Sequence, residues 1–133
     1  MGRLGVSRVP IVRVEDTLIA TVLEDLSDRD ALLLQEDLGR LIERTGAAGV
    51  LLDLTVVEIV DSFLGRLITD ITAASRLLGA ETIVVGIQPA VAVTLVELGL
   101  EFKGVRTALT PEKGRRLLRQ SIAESRTGKY RRG

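Results

Sequence analysis

The sequence predicts a mixed α/β fold, one domain with a mostly parallel β-sheet, an N-terminal β-hairpin and about four helices. Three observations predict it. Two β-branched runs, "VPIVRV" and "TLIATV", stand two residues apart near the start. Behind them, short and nearly continuous apolar runs alternate with stretches of helical period, the pattern of strands covered by crossover helices. The helical stretches open at Ser, Asp or Thr-Pro and mostly stop at Gly, where capping chemistry favours those residues.

In chain order, 9–14 and 17–22 form the hairpin strands around Glu15-Asp16. That pair is a poor match for the commonest two-residue hairpin turn. Ser27 opens the first helix, 28–45, with Asp30 placed to complete a capping box. Ala31, Leu34, Leu38, Leu41 and Ile42 recur at helical spacing, and Gly46 stops the helix in a left-handed conformation. "GVLLDL", 49–54, reads as a central strand. From Phe63 onward Leu64, Leu67, Ile68, Ile71, Ala74 and Leu78 share one helical face, closed by Gly79. "ETIVVGI", 81–87, is the next central strand, and Pro89 begins a helix over 89–98. "VRTAL", 105–109, is a last strand, and Thr110-Pro111 opens a terminal helix to about Ile122. The order β-β-α-β-α-β-α-β-α predicts four to six strands with helices mainly on one face. The domain spans 8–122, and the basic segment 123–133 reads as a disordered tail.

Composition narrows the function. Hydrophobic residues are 46% and charged residues 27%, which suits a folded chain with a real core. Aromatics are 2%, so the core falls to Leu, Ile, Val and Ala, and no stacking surface for single-stranded nucleic acid is available. The chain has no cysteine and no histidine. That removes disulfides, thiol chemistry, the commonest general base and the commonest transition-metal ligand. No signal-peptide core and no apolar run of about 20 residues is present. The expectation is a cytoplasmic, non-enzymatic protein with no cofactor, no metal, no membrane and no nucleic-acid partner. The formal charge is zero, but from Glu124 to Gly133 four basic residues face one acid, which leaves the rest of the chain net acidic.

The junction "TVVEIVDSFLGRLI", 55–68, is the main candidate site. Asp61 and Ser62 stand where a strand run hands over to a helix. Either can simply cap that helix. Alternatively, Ser62 is an exposed hydroxyl in a first helical turn, where the helix dipole tolerates a phosphate. A phosphate there would add about −1.5 to −2 charge beside Asp61 and Glu58. Phe63 and Leu64 would give a partner an apolar contact if they lie at the rim. Asp53 ends a central strand, the position of a receiver domain's phosphoacceptor, but its simpler role is to bond backbone groups in a turn. "GIQPAVA", 86–92, lacks the glycine and lysine pattern of a phosphate loop, and Gly86 and Pro89 suit a tight strand-to-helix connection. Glu36, Asp37 and Glu43 fall on the solvent side of the first helix, and lysine occurs only at Lys103, Lys113 and Lys129. No set of residues looks catalytic. Leu32, Leu33 and Val57 fall outside the core stripes and predict self-association or binding to a paralogue. Receiver-like aspartyl phosphorylation at Asp53 and a small α/β enzyme are the alternative readings.

The element order, "VEIVDSFLGRLI" and "VVGIQPAVAVTLVELGL" resemble the STAS domain of bacterial anti-sigma-factor antagonists over about residues 8–121. Within that family the chain is most similar to the RsbS-type scaffold of the stressosome. Phe63 and Leu64 stand where the general antagonist pattern continues Ser-Gly after Asp-Ser. The resemblance implies a partner-switching scaffold of stress signal transduction, assembled with STAS-containing sensor paralogues. Such a scaffold sequesters a switch serine/threonine kinase and releases it when Ser62 is phosphorylated, and a cognate phosphatase resets the site. Asp61, Ser62, Phe63 and Glu58 are then the expected kinase contacts.

Overall fold

The hairpin closes through the unfavourable pair itself. In the computed structural model, which describes residues 8–99 and 105–126, β1 (Ile11–Val14) and β2 (Thr17–Thr21) pair antiparallel with Val14 opposite Thr17. Glu15 takes the positive φ, 56°, at the first turn position, the pattern of a primed turn whose twist matches the strands. The Asp16 carbonyl accepts the N–H groups of Ala48 and Gly49 at 2.9 and 3.1 Å, which fixes the turn against the next strand.

The remaining elements are α1 (Asp28–Thr45), β3 (Gly49–Asp53), α2 (Ser62–Leu77), β4 (Glu81–Val85), α3 (Pro89–Glu97), β5 (Arg106–Ala108) and α4 (Pro111–Arg126). The sheet order is β1-β2-β3-β4-β5, and every pair after the first is parallel. The capping box of α1 is formed. Ser27 Oγ accepts from Asp30 N, and Asp30 Oδ2 accepts from Ser27 N, both at 3.0 Å. Gly46 ends that helix at φ 71°.

Strand alternation divides the interior into two cores. On one face Leu18, Ala20, Val50, Leu52 and Val84 meet Leu34, Leu38, Leu41 and Ile42 of α1 and Leu64, Leu67, Ile68 and Ile71 of α2. On the other face Leu51, Ile83 and Val85 meet Leu118 of α4. The expectation of helices mainly on one face is therefore amended, because α4 covers the reverse face. Gly114 makes that possible. A Cβ at this position would run into the side chains of Val85 and Leu51, so the missing side chain lets α4 lie close to the sheet.

Three further expectations change. The terminal helix continues to Arg126 rather than stopping near Ile122, since no helix breaker occurs between Ile122 and Gly128. The start of the 123–133 segment is thus helical, and 127–133 lie outside the described residues. Val57 is buried in the main core, whereas Leu32 is 55% exposed and Leu33 half-buried. Asp37 is not on the solvent side of α1. It is buried and bonded to Arg40 Nη2 at 3.0 Å, the arrangement that makes a buried carboxylate tolerable. Glu36 and Glu43 are exposed, as expected.

Candidate functional site

At the C-terminal end of the parallel strands three connections lie side by side: 22–27 after β2, 54–61 after β3 and 86–88 after β4. The middle one carries the Asp-Ser junction, and its neighbours tie it down at two points.

The first tie is at Thr55. Asp53 Oδ1 accepts the Thr55 N–H at 2.9 Å and also the Thr55 hydroxyl. This is the turn role the sequence suggested for Asp53, an Asx turn. From the other side Gln88 Nε2 donates to the Thr55 carbonyl at 2.8 Å. Gly86 has φ 75°, and a Cβ on it would collide with the Thr55 hydroxyl. Gly86 is therefore required twice over, for its dihedral and for its lack of bulk.

The second tie is at Glu58 and Ile59. Glu24 Oε2 accepts both backbone N–H groups, at 2.6 and 2.8 Å. These bonds, Glu58 first and then Ile59, hold the Glu24 carboxyl below the usual glutamate range. The sequence reading missed Glu24. The one signal was an acid just past a strand, and it has meaning only once β2 and β3 are known to be parallel neighbours. Next to it Asp25 sits at φ 60°, an uncommon conformation outside glycine and one that Asp tolerates better than most.

Beyond the ties, α2 begins. Asp61 is its N-cap, with extended backbone, and Asp61 Oδ1 accepts from Leu64 N at 3.2 Å. Capping thus falls to Asp61. Ser62 is the first helical residue and is exposed, and among the described residues no hydrogen-bond partner faces its hydroxyl. Glu58 is exposed within the same turn of chain. Phe63 packs half-buried against the main core, and Leu64 is buried within it. The exposed apolar side chains of the junction are instead Val56, 52% exposed, and Ile59, 81% exposed.

A pocket of about 220 Å³ opens beside the junction. Leu23, Leu26, Val57, Ile59, Val60, Phe63 and Leu64 give it apolar walls, and Glu24, Asp25 and Asp61 are the charged groups lining it, all acidic. Among the described residues no group of His, Cys, Asp or Glu could hold a metal ion, and no helix is long and apolar enough to cross a membrane. The structure therefore leaves Glu58, Asp61 and Ser62 exposed along the junction, packs Phe63 half-buried against the core, and ties Asp53 into the adjoining turn.

Known proteins resemble this chain in sequence and fold. The STAS-domain family model matches residues 8–114. A serine-to-glutamate variant of RsbS from Moorella thermoacetica is 36% identical, with a TM-score of 0.76 over 88% of this chain and 99% of that one. A chain from the molecular architecture of the stressosome is 35% identical, with a TM-score of 0.75 over 85% of this chain and 98% of that one. The RsbT co-antagonist protein RsbRA of Bacillus subtilis is 30% identical over 79% of this chain, and RsbRD of the same organism is 35% identical over 77%. The chain spans only 39% and 33% of those two relatives' lengths.

Proposed function

This chain belongs to the STAS-domain family, among stressosome and anti-sigma-factor-antagonist relatives, and we propose that it is a non-enzymatic, cytoplasmic partner-switching scaffold whose switch is the Ser62 hydroxyl. It assembles with STAS paralogues, retains a switch serine kinase at the Ser62 surface, and releases it on phosphorylation. A phosphatase restores the unmodified form.

One observation carries this reading. Asp61 performs the capping, so the neighbouring hydroxyl is exposed and, among the described residues, has no structural bond to give up. In the reaction the Ser62 oxygen forms a bond to the γ-phosphorus of ATP. The bond from that phosphorus to ADP breaks, and the hydroxyl proton passes to a base on the kinase. Main-chain N–H groups of the first turn of α2 favour the product locally. The partner does not gain from it. A dianion is placed beside Asp61, Glu58 and the acidic pocket, in a surface that also presents Val56 and Ile59 for dry contact. Desolvating an unpaired charge there costs several kcal/mol, and each 1.4 kcal/mol is about tenfold in affinity. Release then needs no unfolding.

Titration calorimetry of the kinase against wild type, Ser62→Ala and the phosphorylated form tests this. Ser62→Ala is expected to hold the kinase whether or not ATP is present. Ser62→Asp is expected to mimic release only in part, since it adds one charge and lacks the phosphate oxygens. Equal affinity of the phosphorylated and unmodified proteins, or modification at another residue, would overturn the reading.

A further inference from the structure

The amide pair at Glu58 and Ile59 is held by a side chain from a different connection, 34 and 35 residues earlier in sequence. One carboxylate oxygen serves both groups. Their own neighbours in the turn do not satisfy them, since the preceding backbone bond in this segment is Val57 N to Leu54 O at 3.0 Å. The side chains of the two clamped residues both point away from the core: Glu58 is exposed, and among the described residues Ile59 is the second most exposed large apolar side chain after Leu77. Val57, immediately before them, is buried, and Val60, immediately after, is half-buried. The backbone at 58–59 is thus a short outward bow pinned at both ends by apolar contacts and at its crest by Glu24. Ile59 stands 81% exposed three residues before the exposed Ser62, and Val56, 52% exposed, lies on the same connection.

We propose that Glu24 is a positioning residue: its carboxylate fixes the 58–59 backbone so that Ile59 stands outward beside Ser62 as the apolar knob that the kinase engages. This rests on the assignment of Ser62 as phosphoacceptor and deepens it, because it supplies a binding determinant separate from the reacting hydroxyl. A fixed bow presents the knob in one place, so the partner need not order it on binding. Ile59 lines the rim of the same pocket as Leu23, Leu26 and Val57, and a loose bow would let it leave that place.

The test combines amide hydrogen exchange with kinetics of the cognate switch kinase and ATP on the full chain. Glu24→Ala is expected to speed exchange at Glu58 and Ile59 by about tenfold or more, with Leu51 and Val84 in the sheet unchanged. It is expected to raise the KM for this protein about tenfold with little change in kcat, because the hydroxyl itself is untouched. Ile59→Ala is expected to raise KM similarly without altering exchange at Glu58, and adding Glu24→Ala to it should raise KM little further. Glu24→Gln, which keeps one oxygen acceptor, is expected to restore most of both effects. Unchanged exchange in Glu24→Ala would overturn the clamp. Faster exchange with unchanged KM, or an Ile59→Ala protein phosphorylated like wild type, would overturn the positioning role while Ser62 remains the acceptor. Absence of phosphate on Ser62 in the wild-type protein would remove the assignment beneath it.

Discussion

The two ends of the parallel sheet are built differently. At the N-terminal end the connections into β2, β3 and β4 are short and closed mostly by main chain. Asp16 O receives Ala48 and Gly49, Ala48 O receives Glu81 N, and Gly46 and Gly79 turn the chain at positive φ with open space around them. At the C-terminal end the connections after β2 and β3 are longer, and side chains hold them: Asp53 and Gln88 on Thr55, Glu24 on Glu58 and Ile59, Asp61 on the start of α2. Main-chain closure is indifferent to most substitutions. Side-chain closure can be retuned one residue at a time without disturbing the sheet. That difference favours the C-terminal end as the place of the proposed recognition surface, the end where open α/β sheets generally carry their sites.

The sharpest way to break this comparison is to place the same substitution at both ends. Gly86→Ala must adopt a left-handed conformation and also displace Thr55. It is expected to destabilise by about 2–5 kcal/mol, combining backbone strain with overpacking. Gly46→Ala meets the same dihedral but open space, and about 1–2 kcal/mol is expected. Urea denaturation of the two variants reads the difference, and equal losses would mean that the Thr55 contact is not a tight one.

A smaller effect separates the two residues of the junction. Asp61→Ala removes the cap of α2 and is expected to cost about 1 kcal/mol. Ser62→Ala removes an exposed hydroxyl with no partner and is expected to stay within about 0.5 kcal/mol of wild type. Thermal unfolding of both decides it. A larger loss in Ser62→Ala than in Asp61→Ala would reverse the division of labour between them.

The smallest expected effect is with pH. The Glu24 carboxyl is held below its ordinary value of 4.5 by the Glu58 and Ile59 N–H groups. Its contribution is therefore present above that value and is lost as pH falls through the lower, folded-state value. Asp25 and Asp61 are the other acidic groups of the same pocket, and Glu58 is exposed on the same connection. Asp30, whose carboxyl is lowered chiefly by the Ser27 N–H, adds a parallel loss at the α1 cap. Melting temperatures of wild type and Glu24→Gln should converge as pH falls from neutral to below the ordinary value of 4.5. A constant gap across that range would show that the Glu24 charge plays no part.

All nine elements could be read from the chain in order. The reason is that hydrophobic period, caps and breakers are local properties of the peptide. Ser27 with Asp30, Gly46, Pro89 and Thr110-Pro111 acted where they stand in sequence. The Asp61-Ser62 junction was visible for the same reason, since a helix start announces itself within four residues. Whether Asp61 or Ser62 did the capping was not visible, because both side chains are chemically able and only the backbone geometry chooses.

What the sequence by itself determined was the order and type of elements, the hairpin, the family resemblance and the place of the junction. Tertiary structure alone decided how those elements share surface. Asp37 is buried and Leu32 is not, Val57 enters the core, and α4 crosses to the reverse face through Gly114. Glu24 reaches a turn 34 residues away for the same reason. Periodicity tells a helix which of its faces is apolar, but not which neighbour will come to lie on its flank. Strand order tells it that, and strand order is a property of the whole sheet. The clamp on Glu58 and Ile59 exists because β2 and β3 are parallel neighbours, which sets their two following connections side by side at one end of the sheet.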